Sequence, residues 1–227
     1  MAMSAEAYQE LETATCLLSG SSSLASRLGR VCLAVLFCAR FGILIVGYRT
    51  VWEEEEKNFH CNTSNLLCRP ICFDEFSPIS SFNIFSLHLV VLLTHSMCVI
   101  YFSSSAYQVK EGWLHSQLRR KSVQTKLHII VLISRILIEG LFIFTFYKVT
   151  DGFAHRRTTR CETTLCEPFV ICTDLNAFLK NILSLCHCAA SAASAMICFK
   201  ELLTCLPAVQ NVKRPLAGQS QTKKLHF

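Results

Sequence analysis

The sequence predicts an all-α membrane protein, a four-transmembrane-helix bundle with two disulfide-linked extracellular loops, and three observations carry that prediction. The 227 residues are 52% hydrophobic with a mean hydropathy of +0.38, a composition that suits a bilayer better than water. Four apolar stretches, 28–49, 82–102, 128–149 and 178–203, are each long enough to cross about 30 Å of hydrocarbon at about 20 residues apiece. Two cysteine triads, Cys61-x6-Cys68-x3-Cys72 and Cys161-x4-Cys166-x5-Cys172, fall in polar loops between those stretches. Thiols clustered this way read as a disulfide framework on an oxidising, extracytoplasmic side.

Each segment follows in order. Residues 1–27 are mostly polar, with a serine-rich run from Ser19 to Ser23. They lack the apolar core of a cleavable signal, so 28–49 is expected to act as both first membrane helix and targeting signal. The loop 50–81 is acidic, carrying Glu53 to Glu56, Asp74 and Glu75 against Lys57 and Arg69. After the second helix, 82–102, the loop 103–127 holds Lys110, Arg119, Arg120, Lys121 and Lys126 against Glu111. Basic residues near helix ends stay in the cytoplasm, which places 103–127 inside and 50–81 outside. The third helix, 128–149, leads to a charge-balanced loop, 150–177, on the outer side. The fourth, 178–203, leads to a cytoplasmic tail, 204–227, whose polar stretch from 207 onward is predicted to be disordered. Charge bias and cysteine chemistry thus assign the same loops to the same side. The net charge of +6 is explained by basic juxtamembrane segments facing anionic lipids, and no nucleic-acid partner is required.

Charged residues interrupt the apolar helices at Arg40, Arg135 and Glu139. Each would cost about 2.5–3.5 kcal/mol facing lipid at a helix centre, so they are expected to face protein or water. Arg135 and Glu139 lie four apart on one helix face, positioned to pair with each other or to reach Arg40 and Ser191 on neighbouring helices. An enzyme is disfavoured, because no Gly-rich phosphate loop and no nucleophile-base motif occurs. In Cys186-His187-Cys188, adjacent helical side chains diverge by about 100° and cannot converge on one metal ion.

The residues around the triads carry a resemblance. Val51-Trp52 before the acidic run, Phe59-x-Cys61-Asn62-Thr63, Cys72-Phe73-Asp74 and Phe76-Ser77-Pro78-Ile79-Ser80 resemble the first extracellular loop of the connexins, the gap-junction proteins. Arg135-x3-Glu139, Phe146-Tyr147 and Asp151-Gly152-Phe153 are similar to that family's third helix and its exit. Gly29-Arg30, Arg40, Lys180, Ser191 and Glu201 fall at equivalent places, and the likeness runs from about residue 10 to 203. The short central loop and tail suggest the small, beta-like members.

The resemblance implies a hexameric large-pore channel in the plasma membrane, at cell junctions where two hexamers dock end to end. It implies homo-hexamers or hetero-oligomers with other connexins, set among membrane lipids. It also implies the disulfides Cys61–Cys172, Cys68–Cys166 and Cys72–Cys161, where the sequence leaves fifteen pairings open. Pore-lining positions would be Glu10, Leu11, Arg49, Glu54 and Asn58, with Glu53 and Glu55 at calcium-sensing positions. No cofactor is expected beyond regulatory Ca²⁺. Because Glu53 to Glu56 are consecutive, they point in different directions, and one or two per subunit would line a channel. Residues 10–27 would form the amino-terminal pore segment, preceded by an extension, Met1 to Tyr8.

Departures from the family pattern concentrate on the docking face. Cys166-Glu167-Pro168-Phe169-Val170-Ile171-Cys172 stands where the family has Cys-Pro-Asn-Thr-Val-Asp-Cys, and Asn65-Leu66-Leu67-Cys68 where it has Gln-Pro-Gly-Cys. Replacing polar docking residues with Pro168, Phe169 and Ile171 leaves partner groups unpaired at about 1–3 kcal/mol each. Asn62 and Asn65 lie on the same face, and Asn62-Thr63-Ser64 is an N-glycosylation sequon. These features point to weak or selective docking and to work as an undocked hemichannel. The competing class is a four-helix adhesion or barrier protein, but the Trp-Gly-Leu-Trp and Cys-Cys-Gly stretches of such families do not occur. Helix two has His95 where the family has a proline, which makes a kink there less expected.

Overall fold

The computed structural model describes residues 5–21, 24–65, 67–108, 115–150, 152–163, 166 and 169–222. Helix α1, Ala5–Ser19, stops at Gly20. That glycine adopts φ +58° and donates its N–H to the Cys16 carbonyl at 3.1 Å, a left-handed cap that glycine enters without a Cβ penalty. Ser26 caps α2, Arg27–Gly47, its Oγ accepting the Gly29 N–H at 3.0 Å. The helix then widens into a π-helical turn, Tyr48–Trp52, where Glu53 N–H reaches back to the Tyr48 carbonyl at 2.8 Å. A 3₁₀ turn, Glu56–Asn58, leads into strand β1, Phe59–Cys61, and the short helix α3, Cys68–Phe76. Helices α4, Ser81–Gln108, and α5, His115–Val149, precede strands β2, Thr158–Cys161, and β3, Val170–Asp174. Helix α6, Ala177–Thr222, completes the described chain.

Among the described residues, four helical stretches are long and apolar enough to span a membrane: Arg27–Trp52, Ser81–Ser103, Val123–Val149 and Ala177–Pro207. Their surfaces are inverted relative to a water-soluble bundle. Arg40, Glu139, His187 and Ser191 are fully buried, while Leu87, Val90, Leu137, Leu141, Leu185 and Met196 are exposed. Ionisable groups inside and bare apolar faces outside suit helices surrounded by lipid or by neighbouring subunits.

Two features depart from the sequence expectation. A three-stranded sheet of order β1-β3-β2 accompanies the helices, a minor β element in a predicted all-α chain. Helix α6 also continues through Pro207 and Pro215 to Thr222, where the polar tail predicts disorder. Polar composition forecasts the lack of packing partners, whereas helical hydrogen bonds are local and need none.

The chain divides into two compact units. The first comprises Met1–Cys38, Val91–Gly140 and Ala192–Phe227. Its core is built on Leu33, Leu132 and Cys198. Buried Arg135 pairs with Glu139 at 3.4 Å and donates to the Ser19 carbonyl at 3.4 Å, binding α5 to the end of α1. Arg30 reaches back to Glu12 at 3.4 Å and to the Cys16 sulfur at 3.2 Å. The Glu201 carboxylate accepts both the Ser26 N–H and its hydroxyl, which places a negative charge at the α2 N-terminus. The second unit comprises Ala39–Val90 and Leu141–Ser191. Its helical core joins Val51, Trp52, Phe85, Phe142 and Phe146, and its loop core gathers Phe59, Val170 and five buried half-cystines.

Candidate functional site

Within the second unit, the two loops form one module. β3 lies between β1 and β2 and is antiparallel to both, with Cys61 opposite Cys172 and Cys161 opposite Val170. Three disulfides join the loops: Cys61–Cys172, Cys68–Cys166 and Cys72–Cys161. Cys68 and Cys72 sit one turn apart on one face of α3, so a single helix face delivers both sulfurs to the second loop. Phe59 packs edge-on against Phe73 and stacks on Phe76, each at 5.5 Å. A module this small buries little apolar area, and each cross-link contributes roughly 2–4 kcal/mol by limiting the unfolded chain. The sulfurs of Cys61, Cys72 and Cys172 lie within 4.8 Å of one another. All three are disulfide-bonded, so they offer no thiolate to a metal.

The charged segment after α2 splits its acids between two places. Arg49, Glu53, Glu54, Lys57 and Asn58 border one groove. Arg49 pairs with Glu53 at 3.6 Å, Lys57 pairs with Glu54 at 2.7 Å, and Asn58 donates its side-chain N–H to the Glu54 carbonyl at 3.0 Å. The hydrogen bond from Lys57 to the Glu54 carboxylate holds the ammonium above its ordinary pKa. Each acid in this groove therefore has a cation beside it. Glu10 and Leu11 belong to the first unit and are exposed on α1, where Leu11 borders a groove with Glu12, Arg27 and Arg30.

Glu55 turns away from that groove. Its carboxylate meets the Lys180 ammonium at 2.6 Å and accepts the Ser80 hydroxyl at 2.9 Å. Lys180 also pairs with Asp174 at 2.7 Å, and the three side chains are only 4%, 11% and 2% exposed for Lys180, Glu55 and Asp174. Asp174 in turn accepts the Asn176 N–H at 2.9 Å. One buried cation thus joins the first loop, the end of β3 and the first turn of α6. Beside it, His155 accepts the Asn181 carboxamide through its backbone and holds its Nε2 3.1 Å from the Ser81 hydroxyl. Burial, reinforced by Lys180, pushes the His155 pKa below its ordinary value against the opposing pull of Asp174 and Glu55.

Glu53 and Glu55, expected together at calcium-sensing positions, are therefore not equivalent: Glu53 is exposed and Glu55 is engaged. Ca²⁺ takes about 6–8 oxygen ligands, and one chain offers far fewer at this turn. The donors here fit a calcium ion only if an adjacent subunit completes the set. Of the expected docking residues, Asn62 and Asn65 are exposed, and Asn65 Oδ1 accepts the Leu67 N–H at 3.1 Å. Phe169 is half-exposed beneath the Arg160 guanidinium, 4.0 Å from its ring. Pro168 lies outside the described residues, as do Met1 to Ser4 of the amino-terminal extension and Leu66. The expected intramembrane network divides between the units: Arg135 and Glu139 pair in the first, while Arg40 and Ser191 are fully buried in the second. Sequence reasoning assigned no role to Asp174 or His155, and treated Lys180 only as a family position. A lone lysine at the start of an apolar stretch was the available signal for them.

Four apolar spans, buried charges within them, and two loops cross-linked into one module define a class: polytopic membrane proteins with a disulfide-braced loop domain. Residues 10–127 match the connexin family model. The chain belongs to the connexin family, a family of gap-junction channel subunits rather than of enzymes.

Proposed function

We propose that this chain assembles as a hexamer around a wide pore in the plasma membrane, with both disulfide-bearing loops outside and residues 1–27, 103–127 and 204–227 inside. The observation that carries the reading is the three-disulfide module joining the two loops that alternate with four apolar spans along the chain, within a family of channel subunits. Disulfides persist on the oxidising side, and the basic residues of 103–127 favour the cytoplasm. Arg49, Glu54 and Asn58 would line the outer pore, with Glu10 and Leu11 at the inner mouth. Six copies of an acid-rich turn would raise local cation concentration, tempered by Arg49 and Lys57 in each. Ions and small metabolites would pass.

The polar docking residues of the family are replaced here, which supports an undocked hemichannel over a strong intercellular junction. External Ca²⁺ would close it through Glu53 and acids of the adjacent subunit. Cells expressing only this chain should take up dye and carry current in low external calcium, and should pass little dye to paired neighbours. Glu53→Gln should weaken the calcium block. No uptake and no current from chain shown to be at the surface, with particles lacking six-fold rings, would refute the channel reading. An unaltered calcium response in Glu53→Gln would refute the role of that acid alone.

A further inference from the structure

We infer that Asn62 carries an N-linked glycan, and that this glycan keeps the loop module from meeting a second copy end to end. The inference rests on the extracytoplasmic placement of the first loop proposed above. Asn62-Thr63-Ser64 is the sole Asn-x-Ser/Thr match in the 227 residues. Asn62 directly follows β1, and its backbone N–H donates to the Ile171 carbonyl at 3.0 Å, so the sheet holds the main chain. Its side chain is exposed and makes no hydrogen bond among the described residues. The next residues fold into a tight turn: Thr63 N–H returns to the Cys61 carbonyl at 2.9 Å, and Asn65 N–H donates to Thr63 Oγ1 at 3.1 Å. Residues 62–65 are all exposed, so the turn offers both the Asn62 carboxamide and the Ser64 hydroxyl to solvent.

Among the described residues no hydrogen bond uses either side chain, and that separates this sequon from a buried or structural asparagine. In the transfer, the Asn62 amide nitrogen attacks the anomeric carbon of a lipid-linked oligosaccharide. A C–N bond forms, the C–O bond to the lipid pyrophosphate breaks, and the amide proton passes to the transferase base. Ile171, the hydrogen-bond partner of Asn62, lies two residues from Phe169 on the face that docking would use. A branched, hydrated sugar there occupies the space that a facing copy needs.

The test is the full chain expressed in mammalian cells, digested with a peptide-N-glycanase and run on a denaturing gel. Wild type and Ser64→Thr, which keeps the sequon, should shift on digestion; Ser64→Ala, which spares Asn62, and Asn62→Gln should not. Dye transfer between paired cells should rise several-fold in Ser64→Ala over Ser64→Thr. Absence of a shift in wild type overturns the inference. Glu162→Asn in the Ser64→Ala background then decides whether the topology falls too, because it creates a sequon at 162–164 in the second loop: modification there keeps the topology, and its absence removes both. Equal dye transfer by modified and unmodified chains overturns the blocking role.

Discussion

Lys180 is the residue on which the second unit turns. A lysine 4% exposed between two carboxylates gains little net stability from the pairing, since desolvation offsets much of the attraction, but removing it strands two buried anions. Lys180→Met is expected to destabilise the protein by about 3–5 kcal/mol, and adding Glu55→Gln and Asp174→Asn should recover most of that loss in thermal unfolding of the purified protein. His155 adds a pH dependence. Below about pH 6.5 the unfolded chain takes up a proton that folded His155 resists, so stability holds above that pH and declines as pH falls through it. His155→Asn should flatten that part of the melting-temperature profile between pH 7 and 5; an unchanged slope would assign it to other groups. At this scale the sequence exposed the charges in apolar stretches, Arg40, Arg135 and Glu139, because a charge in hydrocarbon stands out. It did not reveal that Glu55 differs from its three acidic neighbours, because direction along a turn is not written in composition.

Among the elements, boundaries followed local chemistry. Ser26 starts α2 and Gly20 ends α1, each satisfying backbone groups that a helix terminus leaves free. Gly20 is doubly constrained. A Cβ there would sit 2.5 Å from Ser96 Oγ and 2.8 Å from an Arg135 nitrogen, on top of a left-handed φ. Gly20→Ala should therefore cost at least about 1–2 kcal/mol and displace α1 from Arg135, read as lowered thermal stability and altered unitary conductance. Apolar length predicted four spans, and four are present, each running beyond the predicted limits at one end or both. The π-helical turn and the three short strands were not legible. Both depend on what the segment meets: Trp52 packs against Phe82 and Phe85, and β1 has a partner only because β3 arrives from 111 residues away.

For the whole molecule, apolar periods, loop charge and cysteine placement were enough to specify a four-span membrane protein with oxidised loops, because transfer free energy and thiol chemistry are additive and local. The loop motifs carried the family. The tertiary structure decided which sulfur faces which, since only the register of β1 on β3 sets Cys61 opposite Cys172 and turns one face of α3 toward Cys161 and Cys166. It also decided which acid is buried with Lys180 and which is left to solvent. Those outcomes depend on contacts between segments about a hundred residues apart, and pairwise geometry at that range exists only once the chain has folded.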